Sequence, residues 1–404
     1  MNSKATRYDL IIVGGGLAGS TLGKVMAEQG KSVLIVEREL VFKDRIRGEG
    51  MCPWGVTEAR ELGILPLLFQ AGAHETRWYY RYFADRLFDQ RDLVDTSQHH
   101  AGWLNFSHPK MQETLLAAAQ SAGAEVRRGV SVTDVTPGLE PGVHLSSGGS
   151  SESVKARLVV GADGRSSVTR ARAGFEILRD TPELLVAGAL FENIPVPEYA
   201  VHNVLNPSIG QFNIIFPIGG NRFRCYLIHR LRNESGRMNG EKNLHRYLDA
   251  CHATGVPLKW YRGARLIGPL GNFEGAYQWV KSAYREGVVL VGDSAGATDP
   301  SWGCGLSLTL RDVRVLRDQL KATSDWHAAA ETYAQQRTGY FDALHRIHDM
   351  NRELLTETGA EADARRARAF PKLMEDPSRR PDFIGIGPEA PSDENARRRF
   401  FGDD

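Results

Sequence analysis

The chain has 404 residues, enough for two domains or for one large domain carrying an insertion. Its 50 basic and 49 acidic residues leave a net charge of +1, which argues against nucleic acid as the main partner. Four scattered cysteines, Cys52, Cys225, Cys251 and Cys304, form no CxxC pair, so neither a zinc knuckle nor a redox dithiol is indicated and no metal is expected. The low cysteine count and the lack of a leader-like start set the expectation of a reducing, cytoplasmic setting. No apolar run reaches the length of a membrane span.

The N-terminal segment carries the strongest pattern. An apolar run, Leu10 to Val13, leads at once into Gly14, Gly16 and Gly19 in GxGxxG register. A helical stretch follows, then a second apolar run, Val33 to Val36, ending at Glu37. This order describes a strand–turn–helix–strand unit that holds a dinucleotide. Gly14 permits the tight turn, Gly16 lets the backbone approach a pyrophosphate, and Gly19 lets helix and strand pack closely. The helix start offers free N–H groups and a positive dipole end to the phosphates. Glu37 is placed to accept hydrogen bonds from a ribose. A glycine-rich turn alone would not need the strand, the helix and the acid at these spacings.

Further along, a charged, glycine-containing loop covers Arg38 to Pro53, and a helix is predicted from about Val56 to Gln70. Residues 77–83, RWYYRYF, read as an aromatic strand with Trp78, Tyr80 and Tyr82 on one face. A helix opens at His108, with Pro109 in its first turn. Short strands are expected near Glu125–Arg128 and Ser131–Val135, turns over Pro137 to Ser153, and a strand from Arg157 to Gly161. From Leu184 to about Arg265 strands dominate, with Gly219, Gly220 and Asn221 as a hairpin turn and a helix near Asn243–Thr254. The apolar run GVVLVG, residues 287–292, leads into Asp293. Leu308 to Leu320 is predicted helical. Ser324 and Asp325 can cap a long helix from Trp326 to about Thr358. The last 40 residues, rich in charge and proline, are expected to form a partly extended tail. His345 and His348 lack a carboxylate or cysteine framework, so both are expected on the helix surface.

Three later segments occur in a telling order with the first unit: the helix opening at His108, VVGADGRSSVTR over 159–170, and VVLVGDSAGATDPSWGCGLSLTLRDVRVL over 288–316. Together they resemble the flavoprotein monooxygenases of the para-hydroxybenzoate hydroxylase type, over roughly residues 8–340. The resemblance implies an α/β fold: a Rossmann-like FAD-binding domain, an inserted mainly antiparallel β-sheet substrate domain and a C-terminal helical segment. The boundaries expected are 1–75, 101–180 and 275–323 for the FAD-binding part. The substrate sheet takes 76–100 and 181–274, and 324–404 forms the long helix and tail.

The resemblance also assigns roles. Asp293 stands in the GD motif that serves the ribityl or ribose hydroxyls of FAD. Pro300, Gly303 and Gly305 match the stretch that runs beside the isoalloxazine ring, with Leu306 next to it; Asp312 and Leu316 match the helix that follows. Asp163 and Gly164 form the DG motif. Leu17, Ala18, Arg38, Val130 and His108 complete the expected FAD contacts. In RIRGEG, residues 45–50, Arg45 and Arg47 stand where the family places an arginine-bearing loop, and either can bind cofactor phosphate. FAD is favoured over NAD as the tightly bound dinucleotide, with NAD(P)H as electron donor.

The implied activity is insertion of one atom of O2 into an aromatic, phenol-like or polyketide-like small molecule. A homodimer is one assembly this leaves open. The flavin carries the chemistry, so no side-chain nucleophile is expected. Candidate substrate contacts are Trp78, Tyr80, Tyr82, Phe212, Ile214, Phe216, Arg224 and Tyr226. The chain departs from the hydroxylase pattern at Gly296, at Ser307 and at His108. The wording GDSAGATDPSWGCGL is also similar to that of prenyl-chain reductases and flavin-dependent halogenases. Of the reductases' YxWxFP segment only Phe216 and Pro217 are present. The halogenase lysine is missing between Lys43 and Lys110, and FNIIFPIGG lacks both tryptophans of the halogenase motif. An FAD-binding subunit without turnover is a third class the sequence leaves standing.

Overall fold

A computed structural model describes residues 7–46, 48–232 and 236–404. The apolar run before the glycines forms strand β1 (Arg7–Val13), followed by helix α1 (Leu17–Ala27) and strand β2 (Val33–Glu37). β1 lies between β2 and a long strand, Ser150–Gly161, both parallel to it. Glu125–Arg128 extends the parallel sheet on one side and Val288–Leu290 on the other. Both faces are covered, and the strands accordingly read as continuous apolar runs rather than alternating ones. Leu10 and Ile12 turn to one core and Ile11 and Val13 to another.

The turns expected over Pro137 to Ser153 are instead a pair of hairpins. Ser131–Thr136, Gly142–Ser147 and the start of Ser150–Gly161 pair antiparallel in sequence. Serine and glycine masked a strand whose buried face is only Val143 and Leu145. The helix expected from Val56 to Gln70 is also two, Pro53–Glu61 and Leu65–Gln70. Gly63, at φ +65°, ends the first, and Pro66 starts the second.

The second sheet is mainly antiparallel. Its order is Arg265–Leu266, Leu184–Glu192, Arg222–Arg230, Gln211–Pro217, Ala200–Asn206, Trp78–Phe83, Arg86–Asp92, with one parallel pairing between Ala200–Asn206 and Trp78–Phe83. One face is covered by helix Leu244–Thr254 and by Trp260, through a core that includes Phe223, Cys225 and Tyr247. The other faces the dinucleotide half.

Asp325 caps the long helix Trp326–Leu355, its carboxylate accepting from the Ala328 amide. Beyond it the chain departs from the expected extended tail. Helices Ala360–Glu375 and Glu394–Phe401 bury Leu373, Phe400 and Phe401 against Ile347 and Leu354. Charge on the outer faces hid the few apolar residues, whose helical spacing seats the segment.

One buried ion pair joins three elements. The Asp312 carboxylate is fully buried in helix Gly305–Ala322. It accepts from the Gly292 amide at 2.8 Å, from Arg337 Nε at 2.9 Å and from the Tyr340 hydroxyl at 2.6 Å. Arg337→Met should leave this carboxylate buried without its counter-charge. The expected loss is about 3–5 kcal/mol of stability, read by denaturant melting of the holoprotein; a melt unchanged within error would contradict this reading.

Candidate active site: two cavities sharing one loop

The glycine turn is shaped by contact. Gly14 sits at φ +104°, and a Cβ there would lie 2.5 Å from the Ala162 carbonyl oxygen. A Cβ on Gly19 would overlap the Gly14 carbonyl oxygen. So Gly14 lets β1 approach the neighbouring strand end, and Gly19 lets α1 close onto the turn. Leu17 and Ala18 are buried beneath it. The Glu37 carboxylate accepts from the amides of Gly15 and Glu39, both at 2.8 Å, which fixes it at the rim of a cavity of about 300 Å3.

That cavity is lined by Gly14, Gly16, Glu37, Arg38, Arg45, His108, Val130 and Asp163 among others. Arg45 is held by Glu39 at 2.7 Å. Arg47 lies outside the described residues. His108 is buried, and its Nε2 lies 2.6 Å from the Gly48 carbonyl oxygen. Asp163 lines the cavity, but its oxygens accept from the Ser167 hydroxyl and from the Thr169 amide and hydroxyl, so it also caps the short helix Val168–Arg172. Asp293 is exposed in the turn Gly292–Ser294, and its carbonyl accepts from Arg170.

A second cavity, about 100 Å3 and largely apolar, lies against the inner face of the second sheet. Phe212, Ile214, Phe216 and Tyr226 line it, as do Pro300 and Gly303 from the glycine-rich turn. Gly305 and Leu306 open the helix that follows that turn. Trp78, Tyr80 and Tyr82 point the other way. Tyr82 packs on Trp260 with centroids 5.4 Å apart, and Tyr80 on His202 at 5.7 Å. The period of the strand was legible, but not which face lines the cavity. The intervening residues Tyr79 and Arg81 are the ones at the cavity. Arg224 is likewise not at the cavity wall; it pairs with Glu49 at 3.0 Å and with Asp44 at 3.1 Å.

Sequence reasoning missed Trp103, Trp302, Phe273 and the segment Arg380–Ile384, all of which line this cavity. Trp302 lies within the DPSWGCG stretch, whose glycines and not its tryptophan carried the resemblance; the others sit in no motif and are brought in by packing across long sequence separations. His348 is another correction. It is buried, not on the surface, and its Nδ1 pairs with the Tyr277 hydroxyl; burial pushes the imidazole down to about 3, so it stays neutral. His345 stacks on Tyr277 and pairs with Asp180 at 2.7 Å.

The loop from Phe42 to Gly50 touches both cavities: Phe42, Lys43 and Arg45 border the first, Gly48 and Gly50 the second. The profile of the family described as FAD binding domain matches residues 7–345. The chain belongs to this family. It is 25% identical over 373 residues to squalene monooxygenase from Rattus norvegicus, covering 86% of this chain and 60% of that protein. The chain thus spans about three fifths of the length of the curated relatives it matches. Among solved structures, p-nitrophenol 4-monooxygenase PnpA from Pseudomonas putida superposes with a TM-score of 0.78 at 18% identity, over 92% of this chain and 95% of that one. The flavin-dependent brominase Bmp2 gives 0.75 at 16% identity, over 98% and 97%. At these identities the structures share the fold.

The residues present fit FAD. The Gly14–Gly19 turn leaves the backbone bare where a pyrophosphate must approach, and the Gly16 position opens onto only the Gln112 amide at 3.6 Å. Glu37 lines the same cavity. Heating should release FAD rather than FMN, which has no pyrophosphate for that turn. Gly14→Val should retain little flavin, because its Cβ meets the backbone of Ala162 and Asp163 at a φ that valine avoids. Chromatography of the released flavin checks both, and full retention by the variant would refute the turn's role.

Beside the second cavity, Glu49 is 1% exposed and accepts from the Tyr226 hydroxyl. Burial outweighs the opposing pull of Arg224 and Tyr226 and pushes its carboxyl up to about 8. Below about 4.5 the group is protonated whether the chain is folded or not. Above that, the folded state alone keeps the proton, so this contribution to stability is lost as pH rises through about 8. Glu49→Gln should therefore flatten the fall in melting temperature between about pH 5 and 8. Parallel curves for the two proteins would rule the effect out.

Proposed function

We propose that this protein is an FAD-dependent monooxygenase that places one atom of O2 on an aromatic, phenol-like small molecule, with NAD(P)H as reductant. The balance is substrate, O2, NAD(P)H and a proton going to hydroxylated product, water and NAD(P)+. The carrying observation is the apolar cavity that shares the Phe42–Gly50 loop with the dinucleotide cavity. When bound and reduced, FAD supplies the activation of oxygen. Gly14, Gly16, Glu37, Arg45 and His108 would hold it.

The chain's own work is binding, orientation and dryness. Phe212, Ile214 and Phe216 present a flat apolar wall suited to a planar ligand. Trp103 and Trp302 close the cavity against water, which protects a reactive oxygen species from wasteful decay. The Tyr226 hydroxyl, which donates to Glu49, is one of the polar groups on a largely apolar wall and can accept a hydrogen bond from a phenol hydroxyl.

Two relatives bear on the choice of substrate. The name of PnpA gives p-nitrophenol as what that enzyme acts on, which supports a single phenolic ring here. The squalene monooxygenase likeness supports a second reading, oxygenation of an isoprenoid alkene. The size of the cavity favours the first: about 100 Å3 is of the order of the ~150 Å3 apolar cavity that takes up benzene. Incubation with a phenol panel under heavy dioxygen should give a product carrying one heavy oxygen, with NAD(P)H oxidised in step. A product whose new oxygen comes from water rather than from the heavy dioxygen would overturn this reading, and a product two hydrogens heavier formed equally well without oxygen would overturn it in favour of a reductase.

A further inference from the structure

The segment Arg380–Ile384 forms one wall of the apolar cavity, although it lies beyond residue 345, where the match to the family ends. Its placement is built. Asp382 accepts two parallel hydrogen bonds from the Arg91 guanidinium, at 2.8 and 2.7 Å, and so ties the segment to the edge strand of the second sheet. The Asp382 carboxylate also accepts from the Gly385 amide at 3.0 Å, which closes the local turn. Trp54 Nε1 donates to the Phe383 carbonyl at 3.0 Å and ties it to the dinucleotide half. Between these anchors the Phe383 ring meets Trp302 edge-on at 6.4 Å and His348 at 5.2 Å. Trp302 in turn stacks on Phe212, a cavity residue of the sheet.

We infer that this C-terminal strap is a specificity element: Phe383 sets how large a substituent the ring-binding cavity accepts, and the Arg91–Asp382 pair holds it in place. The inference rests on the proposed reading of the cavity as the substrate site. Two features carry it. The strap is anchored at both the sheet and the dinucleotide half, so its side chains are fixed rather than free to withdraw. And the Phe383 ring packs edge-on against both Trp302 and His348. A packed wall of this kind discriminates by about tenfold or more per methylene, because an added group has nowhere to go. Arg91 and Asp382 also border the cavity, and their pairing positions the ring.

The test uses the full-length holoenzyme and the series phenol, 4-methyl-, 4-ethyl-, 4-propyl- and 4-butylphenol. Binding is measured by calorimetry, and hydroxylation separately by product mass. Phe383→Ala should improve binding of 4-butylphenol relative to 4-methylphenol by about tenfold, and Phe383→Trp should worsen the same ratio by about tenfold. Opposite shifts at one position cannot come from loss of folding. Asp382→Asn should blur the ratio toward that of Phe383→Ala, with flavin content unchanged.

A ratio that stays the same in both Phe383 variants overturns the strap as a specificity element, even if the phenols are hydroxylated. Shifted binding without hydroxylation keeps the strap and discards the phenol-hydroxylase reading. Binding of no member of the series overturns both.

Discussion

A fully buried carboxylate cannot stand alone, and Asp312 shows what that requirement does to a fold. Its oxygens need donors, and they take one each from a tight turn, a long helix and that helix's next turn: Gly292, Arg337 and Tyr340. The result is that the turn bearing Asp293, the helix that opens at Gly305 and the helix Trp326–Leu355 share one geometry. The glycine-rich stretch between them, with Pro300 and Gly303 at the cavity, is held from both ends. The C-terminal helices then pack on the long helix, against Ile347 and Leu354. The Asp312–Arg337 pair acts through placement more than through net energy, since a buried salt bridge costs about as much in desolvation as it returns in attraction.

The sequence was most legible where local chemistry decides the structure. The strand–turn–helix start, the Asp325 cap and the hairpin at Gly219–Gly220 follow from residues within a few positions of each other. The FAD family could be named from the order of its motifs, and the match over residues 7–345 bears that out. Legibility failed where the answer depends on what packs from far away. The 78–83 strand shows this most sharply. Alternation told the two faces apart, yet both faces are aromatic or amphipathic, and only the placement of Leu244–Thr254 and Trp260 decides which is covered.

The tail failed for a related reason. Residues 360–404 are dense in arginine and acid, and their few apolar side chains are spaced for helices that make sense only against Ile347 and Leu354. Ion pairs such as Arg397 with Glu353 cover the outer edge. A sequence reading weighs the charge and sees a solvated segment; the folded chain uses the same charge to seal a small core. His348 illustrates the converse. A polar residue on a helix looks like surface until a second polar group, the Tyr277 hydroxyl, is found buried beside it.

The loop from Phe42 to Gly50 has the widest reach of any short segment here, because it borders both cavities. Two sites bordered by one loop form one thermodynamic system wherever that loop moves as a unit. Whatever free energy an occupant of one cavity spends in setting that loop is felt by the occupant of the other, and the coupling is the same in either direction. A substitution in this loop that reshapes the border of one cavity therefore reaches the other to the extent that the loop moves as a unit, and by the same free energy in each direction.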